Sequence, residues 1–242
     1  MSFRSIESSS NPTFKVLLSY KKGEPKEGYF LVEGQDLVDE AKKEGLLVAL
    51  IVPLNTHCPM VDYQIYGLKD NLYKELSSYQ SLPVCMGLCR KKLNQDVGKR
   101  IIYLDRIQDP GNAGTMVRTA LSFGYTGVVF SPDSVSLYNS KTIQATKGAL
   151  FHLPIYRADL NDYALKGYHI YLTTLDGEDE SQLDKLPEPF VLVFGNEGQG
   201  VRKEYQNLGK KLKIEMSGID SLNVAVASGI FMYRFRSRNN GR

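Results

Sequence analysis

Short apolar runs alternate with amphipathic stretches in the second half of the chain. Apolar runs of strand length occur at residues 101–105, 127–131, 169–176, 190–195 and 211–216. Apolar positions at helical spacing occur around Val117, Ala120 and Leu121, and again within residues 140–148, 201–209 and 221–235. This alternation predicts a mainly parallel sheet with helices on both faces.

The first half shows a shorter version of the same pattern. It predicts strands at residues 29–34, 46–52 and 63–66 and helices at residues 34–45 and 71–79. A polar stretch at 91–100, which contains Gly98, separates the two halves. We therefore expect a small α/β domain over residues 1–97 and a larger α/β domain over residues 98–242.

The composition restricts the class of protein. The chain has 242 residues, 42% of them hydrophobic and 24% charged, with a net charge of +3. No run approaches the roughly 20 apolar residues that cross a bilayer, and the N-terminus lacks an apolar signal segment. Cys58, Cys85 and Cys89 have no metal-type spacing with the histidines. We expect a cytoplasmic protein with no metal and no membrane anchor. The basic end, YRFRSRNNGR, leaves a nucleic-acid partner open.

Four polar or glycine-rich segments follow predicted strands directly. They are residues 105–114, 173–177, 195–200 and 216–223. Ligands of parallel sheets bind at the carboxyl ends of the strands, so these four loops are the candidate site.

Two of these loops carry candidate chemistry. In DPGNAG (109–114) a sharp turn precedes a helix that presents Arg118, which suits an anionic partner. GNEGQG (195–200) does not match the dinucleotide fingerprint G-x-G-x-x-G, and the chain has no P-loop. Its Glu197 either accepts backbone hydrogen bonds, meets a cation, or is a favourable charge near a helix start.

The last predicted helix is apolar on nearly all sides between Val224 and Met232. Ser221 is its expected N-cap, with Asn223 in the first turn. Such a helix lies in the centre of a monomer or at a dimer interface. His57, His152 and His169 stand in separate segments, and no nucleophile–base pair is evident.

Three segments together resemble the SpoU/TrmH family of RNA methyltransferases, a branch of the SPOUT class. They are DPGNAGTMVRTALSFG (109–124), LVFGNEGQGV (192–201) and IEMSGIDSLNVAVASGI (214–230). The resemblance spans roughly residues 98–235. The N-terminal part resembles, more loosely, the substrate-binding domain that precedes the catalytic domain in this family.

The resemblance implies a fold that the periodicity does not predict. It implies an α/β methyltransferase domain with a deep trefoil knot, preceded by a small α/β domain like that of ribosomal proteins. It also implies a homodimer formed through the knotted domain, S-adenosyl-L-methionine (AdoMet) as cofactor and methylation of a ribose 2′-OH in RNA. Ribosomal RNA is the first expectation and transfer RNA the second. A base methyltransferase or a non-catalytic RNA-binding relative remains an alternative.

The motif match also implies roles for individual residues. The implied catalytic residues are Asn112, Arg118, Glu197, Ser221 and Asn223. The implied AdoMet-binding residues are Thr174, Leu175, Gly195, Asn196, Gly198, Ile214, Met216 and Leu222. Arg118 is the family's proposed base; since a guanidinium has a pKa above about 12, a phosphate clamp is the physical alternative. Glu215 stands where the family usually has proline, and the loop at 216–223 is one residue shorter than in many relatives.

Overall fold

The computed structural model describes residues 3–21, 28–56, 63–92, 95–219 and 221–237. The chain divides into two compact units, and each is described by itself. The first comprises Met1–Asn94 and Ser136–Phe151, and the second comprises Gln95–Val135 and His152–Arg242. His57 and Cys58 lie outside the described residues, as does the end of the basic tail from residue 238.

The described residues form eleven strands and seven α-helices. The strands are β1 (Phe3–Ile6), β2 (Tyr29–Glu33), β3 (Leu47–Pro53), β4 (Gln64–Leu68), β5 (Met86–Arg90), β6 (Arg100–Leu104), β7 (Gly127–Phe130), β8 (Ile155–Arg157), β9 (His169–Asp179), β10 (Phe190–Phe194) and β11 (Lys210–Lys213). The helices are α1 (Pro12–Lys21), α2 (Gln35–Lys43), α3 (Asp70–Leu76), α4 (Pro110–Ser122), α5 (Ser140–Thr146), α6 (Leu160–Leu165) and α7 (Val224–Arg234). None of these helices is long and apolar enough to cross a membrane.

The first unit is built on a mixed sheet with the order β1-β4-β3-β5-β2. Strand β4 is parallel to β1 and β3, whereas β5 is antiparallel to both β3 and β2. Its core joins Phe14 and Leu17 of α1 to Ile51 of β3 and to Leu72 and Tyr73 of α3. Strands β1 and β5 and helix α1 were not among the predicted elements, because each is short and carries no clear alternation.

The second unit is built on a parallel sheet with the order β11-β9-β10-β6-β7-β8. This confirms the predicted parallel α/β sheet. The central strands β6 and β10 read as continuous apolar runs because helices cover both faces of such a sheet. Ile101, Tyr103, Val191 and Val193 from these strands are completely buried in its core.

Two helix starts differ from the prediction. The expected turn before the Arg118 helix is its first turn: α4 begins at Pro110, and the Asp109 side chain accepts a hydrogen bond from Asn112 N. Aspartate at the N-cap with proline next to it is a favourable start. Helix α7 begins at Val224, and its N-cap is Asn223 rather than Ser221.

Two further elements are shorter than predicted. The helix expected within residues 201–209 is a single 3-10 turn at Lys203–Tyr205. The strand expected at 211–216 ends at Lys213, so Ile214 and Met216 lie in the loop that follows it. Both differences shift residues from regular elements into the loops around the carboxyl edge of the sheet.

Candidate active site

A chain of side-chain hydrogen bonds joins three loops at the carboxyl edge of the second sheet. Asn223 Nδ2 donates to Asn112 Oδ1 at 3.2 Å, and Asn112 Nδ2 donates to Glu197 Oε1 at 3.0 Å. The three residues come from the starts of α7 and α4 and from the loop after β10. The structure therefore brings together one residue of each of the three motifs.

The orientation of the two amides follows from the helix starts that hold them. Asn223 Oδ1 accepts hydrogen bonds from Ala225 N at 2.9 Å and Val226 N at 3.3 Å, which satisfies the first turn of α7. Its Nδ2 group is then the only part that can reach Asn112. Asn112 in turn is held by its own backbone N–H, which donates to Asp109 Oδ1 at 2.7 Å. The chain consequently runs in one direction and ends on the Glu197 carboxylate.

The loop that carries Glu197 is fixed by its neighbours. Asn196 and Gly200 exchange two backbone hydrogen bonds, of 3.1 and 2.9 Å. The Asn196 side chain accepts from Gly198 N and Gln199 N at 3.0 and 3.1 Å. A Cβ atom on Gly195 would lie 2.2 Å from the carbonyl carbon of Gly200, so only glycine fits there. The turn is therefore a hydrogen-bonded ring whose backbone conformation is closely restricted.

A cavity of about 620 Å³ lies beside this loop. All eight of the expected AdoMet-binding residues line it, together with Glu197 and Ser221 from the expected catalytic set. Phe194, Val201, Val224 and Phe231 add apolar walls. The volume is in the range of about 300–1,000 Å³ that is usual for small-molecule and cofactor sites.

The charged side chains among the described residues that line the cavity are all acidic. They include the carboxylates of Asp176 and Glu197 and no lysine, arginine or histidine. Asp176 is exposed, and a hydrogen bond from Lys211, with its Nζ at 2.9 Å, lowers the pKa of the Asp176 carboxyl. Lys211 thus balances the charge of Asp176, and Glu197 is the carboxylate that leaves negative charge at the described part of the cavity. Together with the apolar surface and backbone groups, this charge favours a cationic ligand.

Arg118 lies apart from the cavity lining and from the hydrogen-bond chain. It is exposed on α4, six residues after Asn112. Within the described part of the chain its guanidinium makes no hydrogen bond and no ion pair. The group is thus available to a partner from solution.

An ionic cluster around one buried carboxylate, next to the loop, was not predicted. The Asp105 carboxylate is completely buried and accepts hydrogen bonds from Arg202 N and Nε at 2.7 and 2.6 Å. Arg202 also donates to Asp133 at 2.7 Å. The signal in the sequence was the acid that ends the apolar run IIYLD, since a charge that continues a buried strand needs a partner.

Comparison with known proteins defines the class. The model of the SpoU rRNA methylase family matches residues 99–233, more than half of the chain. The protein belongs to this family, which confirms the resemblance based on the three motifs.

One relative is similar to this protein over nearly the whole chain. The chain is 31% identical to the 23S rRNA (guanosine(2553)-2′-O)-methyltransferase RlmP of Bacillus subtilis (strain 168), over 96% of this chain and 99% of that protein. An AdoMet-bound rRNA methyltransferase from Sinorhizobium meliloti is 25% identical, with a TM-score of 0.81 and coverage of 96% of this chain and 97% of that one. The SpoU methyltransferase AviRb from Streptomyces viridochromogenes, in complex with AdoMet, shares the fold with a TM-score of 0.82 at 21% identity and covers 93% of this chain and 96% of its own.

Proposed function

We propose that this protein is an AdoMet-dependent methyltransferase that modifies a ribose 2′-OH in RNA, with ribosomal RNA as the first candidate substrate. The observation that carries the proposal is the cavity beside the Asn223–Asn112–Glu197 chain. The full-length similarity to an rRNA 2′-O-methyltransferase supports the substrate class.

The cavity fits AdoMet in its chemistry. The cofactor combines an apolar-faced adenine with a sulfonium cation, and the lining combines apolar walls with two carboxylates and no cationic side chain. When bound, AdoMet supplies an electrophilic methyl group. Thr174, Leu175, Gly195, Gly198, Ile214, Met216 and Leu222 would hold it. The Asn196 side chain already bonds Gly198, Gln199 and the Arg106 carbonyl, and its backbone pairs with Gly200, so Asn196 would serve the site by holding the loop in shape.

The polar chain would orient the attacking hydroxyl. A ribose 2′-OH is a poor nucleophile, so its position and the removal of its proton decide the rate. Asn112 and Asn223 fix the Glu197 carboxylate at the edge of the cavity, where it can accept a hydrogen bond from the substrate. Ser221 lines the same cavity and would supply a second polar contact to the substrate.

Arg118 would act on the RNA backbone. A guanidinium stays protonated at neutral pH, so a clamp on a phosphate is chemically easier than a role as general base. The exposure of Arg118 and its lack of partners within the described residues support this role. A nearby fixed positive charge would also stabilise the developing alkoxide of the 2′-OH.

The C-terminal segment would form the trefoil knot of the family. Arg234 of α7 donates to Glu180 Oε2 at 2.9 Å and to the carbonyl of Leu183 at 2.7 Å. These contacts hold the end of α7 against the connection between β9 and β10. They support a path in which residues 214–237 pass through that connection, and a crystal structure of the protein tests it.

The protein would work as a homodimer through the second unit. Val226, Ile230 and Tyr233 lie on one face of α7, and they are 53%, 37% and 55% exposed. An apolar helix face of this kind gains stability when a second copy covers it. Sedimentation analysis tests the proposal, and replacement of Val226 and Ile230 by lysine should yield monomers.

The two predicted domains would have different functions in the reaction. Residues 98–242 would carry methyl transfer, and residues 1–97 would bind the RNA outside the modified nucleotide. Cys85 and Cys89 are buried and take part in no disulfide within the described residues, which suits the reducing cytoplasm.

Transfer of labelled methyl groups from AdoMet tests the reaction. Purified protein is incubated with ribosomal and transfer RNA that lack the modification, and the RNA is digested to nucleosides. A labelled 2′-O-methylnucleoside in the ribosomal fraction is expected. Label in transfer RNA would change the substrate, label on a base would change the reaction, and AdoMet binding without any transfer would favour an RNA-binding relative.

Arg118→Ala tests the site directly. We expect the substitution to abolish methyl transfer and to leave the Kd for AdoMet within about twofold, because Arg118 lies outside the cavity lining. Lys166→Ala, which removes another exposed charge of the second unit, should leave both quantities unchanged. Normal turnover by the Arg118 variant would rule out both the clamp and the base.

A further inference from the structure

Arg106 has an unusual backbone conformation at the carboxyl end of β6. Its φ angle is 56°, in the left-handed region that residues with a side chain rarely adopt. Among the described residues only one other non-glycine residue, Lys147, has a positive φ angle, of 49°. A conformation of this kind persists where surrounding contacts stabilise it, so the contacts of Arg106 are informative.

Those contacts go to the loop that carries Glu197. The Arg106 guanidinium donates to Gln199 Oε1 at 2.8 Å and to the carbonyl of Gly200 at 3.2 Å. The Arg106 carbonyl accepts a hydrogen bond from Asn196 Nδ2 at 3.0 Å. Arg106 thus holds both sides of the Asn196–Gly200 ring.

The buried Asp105 carboxylate lies next to the arginines on either side of the Glu197 loop. Its Oδ1 atom lies 2.6 Å from Arg202 Nε and 3.7 Å from Arg106 Nε. Arg202 follows the loop in the chain by two residues, whereas Arg106 reaches the loop from β6. Asp105 therefore bonds Arg202 directly, and its charge attracts the Arg106 guanidinium across 3.7 Å without a hydrogen bond.

We infer that Arg106 is a positioning residue of the site: its left-handed backbone aims the guanidinium at residues 199–200 and holds the Glu197 loop in its ligand-binding shape before any ligand arrives. The inference rests on the proposed function for its catalytic meaning. Its structural part concerns the loop alone and is measurable without RNA or AdoMet.

Arg106→Gly separates positioning from overall stability. Glycine adopts a positive φ angle without steric cost, so the backbone strain disappears while both guanidinium contacts are lost. We expect an unchanged or higher Tm. Amide hydrogen exchange of the peptide covering residues 196–201 should become about tenfold faster in the ligand-free protein, and the Kd for AdoMet about tenfold weaker.

Lys147→Gly is the matched control. It relieves the same type of backbone strain at an exposed residue that ends α5, in the other unit of the chain. It should alter the Tm in the same direction and leave both the exchange of residues 196–201 and AdoMet binding at wild-type values.

Arg106→Asn controls for the backbone flexibility that glycine introduces in the Arg106→Gly variant. Asparagine tolerates the left-handed region and keeps a Cβ atom, but it cannot reach Gln199 as arginine does. It should accelerate exchange at residues 196–201 like the glycine variant. Gln199→Ala should then add less than about twofold to the effect on AdoMet affinity, since the two residues share one interaction.

Unchanged exchange at residues 196–201 in both Arg106 variants would overturn the inference. So would unfolding of both, because Arg106 would then serve overall stability. A wild-type protein that methylates no RNA would refute the proposed function, whereas the exchange result would still decide whether Arg106 holds the loop.

Discussion

Two segments that line the same cavity are held in very different ways. The segment at 195–201 is closed by the Asn196–Gly200 backbone pair and held from outside by Arg106. In the segment at 214–222, the described residues show an ion pair between Glu215 and Lys213 at 2.9 Å. Residues 216–219 and 221–222 make no side-chain hydrogen bond with the described part of the chain. One side of the cavity is thus fixed by the protein, and the other leaves its polar groups for a ligand.

This difference suggests a division of labour between the two segments. The fixed segment carries Glu197, whose proposed role in the reaction requires an accurate position. The second segment carries Ile214, Met216 and Leu222, which offer apolar surface that can close over a bound cofactor. A preformed side lowers the cost of ligand binding, and we expect the described residues of the second segment to gain order when the ligand binds.

Gly195→Ala should have the largest effect, because it breaks the fixed side. The new Cβ atom would overlap the backbone of Gly200 at 2.2 Å, and the backbone cannot move without opening the ring. We expect no detectable AdoMet binding by calorimetry and a lower Tm. Gly229→Ala in α7 is the control, since a Cβ atom there meets nothing within 4 Å. Wild-type affinity in the Gly195 variant would show that the ring is not required.

Asn223→Asp should have an intermediate effect, because it uncouples the N-cap of α7, which directly follows the second segment, from Asn112 and Glu197. Aspartate is as good an N-cap as asparagine, so α7 should keep its stability. It lacks the Nδ2 donor to Asn112 and adds a negative charge near Glu197. Methyl transfer should fall by about 10- to 100-fold with little change in Tm.

Asn223→Ala provides the comparison for that experiment. It loses the hydrogen bond and the cap together, so transfer and Tm should both fall, the latter in line with about 1 kcal/mol of lost stability. Equal activity of the aspartate variant and the wild type would mean that the amide chain has no role in the reaction.

Saturating AdoMet should sharpen the contrast between the two segments. Hydrogen exchange in residues 214–222 should slow by about tenfold, and exchange in residues 196–201 should change less, because those amides are already bonded. Mass spectrometry of peptides from the free and loaded protein measures both. Equal protection of the two segments would contradict the comparison.

Glu215→Gln should have the smallest effect. The carboxylate is exposed and its pair with Lys213 is open to solvent, so solvent and salt screen the interaction. We expect less than about a twofold change in the Kd for AdoMet. A larger loss would assign Glu215 a direct contact with the cofactor.

The sequence predicted the position of the site well because the topology is parallel. Loops after parallel strands meet at one edge of the sheet, so the sequence pattern groups residues 173–177, 195–200 and 216–223. Ile214 lies in a predicted strand and is assigned to the site only by the family resemblance. The mixed first sheet was harder to predict, since β1 and β5 are short and one of them pairs in the antiparallel direction.

Arg106 and Asp105 show what the sequence does not reveal. A left-handed backbone angle has no signature at an arginine, and Arg202, which bonds the Asp105 carboxylate, lies 97 residues further along the chain. The predicted starts of α4 and α7 were each wrong by a few residues. Each helix is preceded by several polar residues that can serve as N-cap, and the sequence does not single out Asp109 or Asn223 among them.

The double duty of Asn223 restricts how this position can change over generations. Its oxygen is needed to begin α7, and its nitrogen is needed to hold Asn112. Selection for folding alone would accept serine, threonine, aspartate or asparagine, whereas selection for methylation should accept asparagine only. A library of all substitutions at position 223 would be sorted once for expression and once for RNA methylation. We expect many residues to pass the first sort and few to pass the second. The difference between the two sets gives the number of substitutions that preserve folding but abolish methylation.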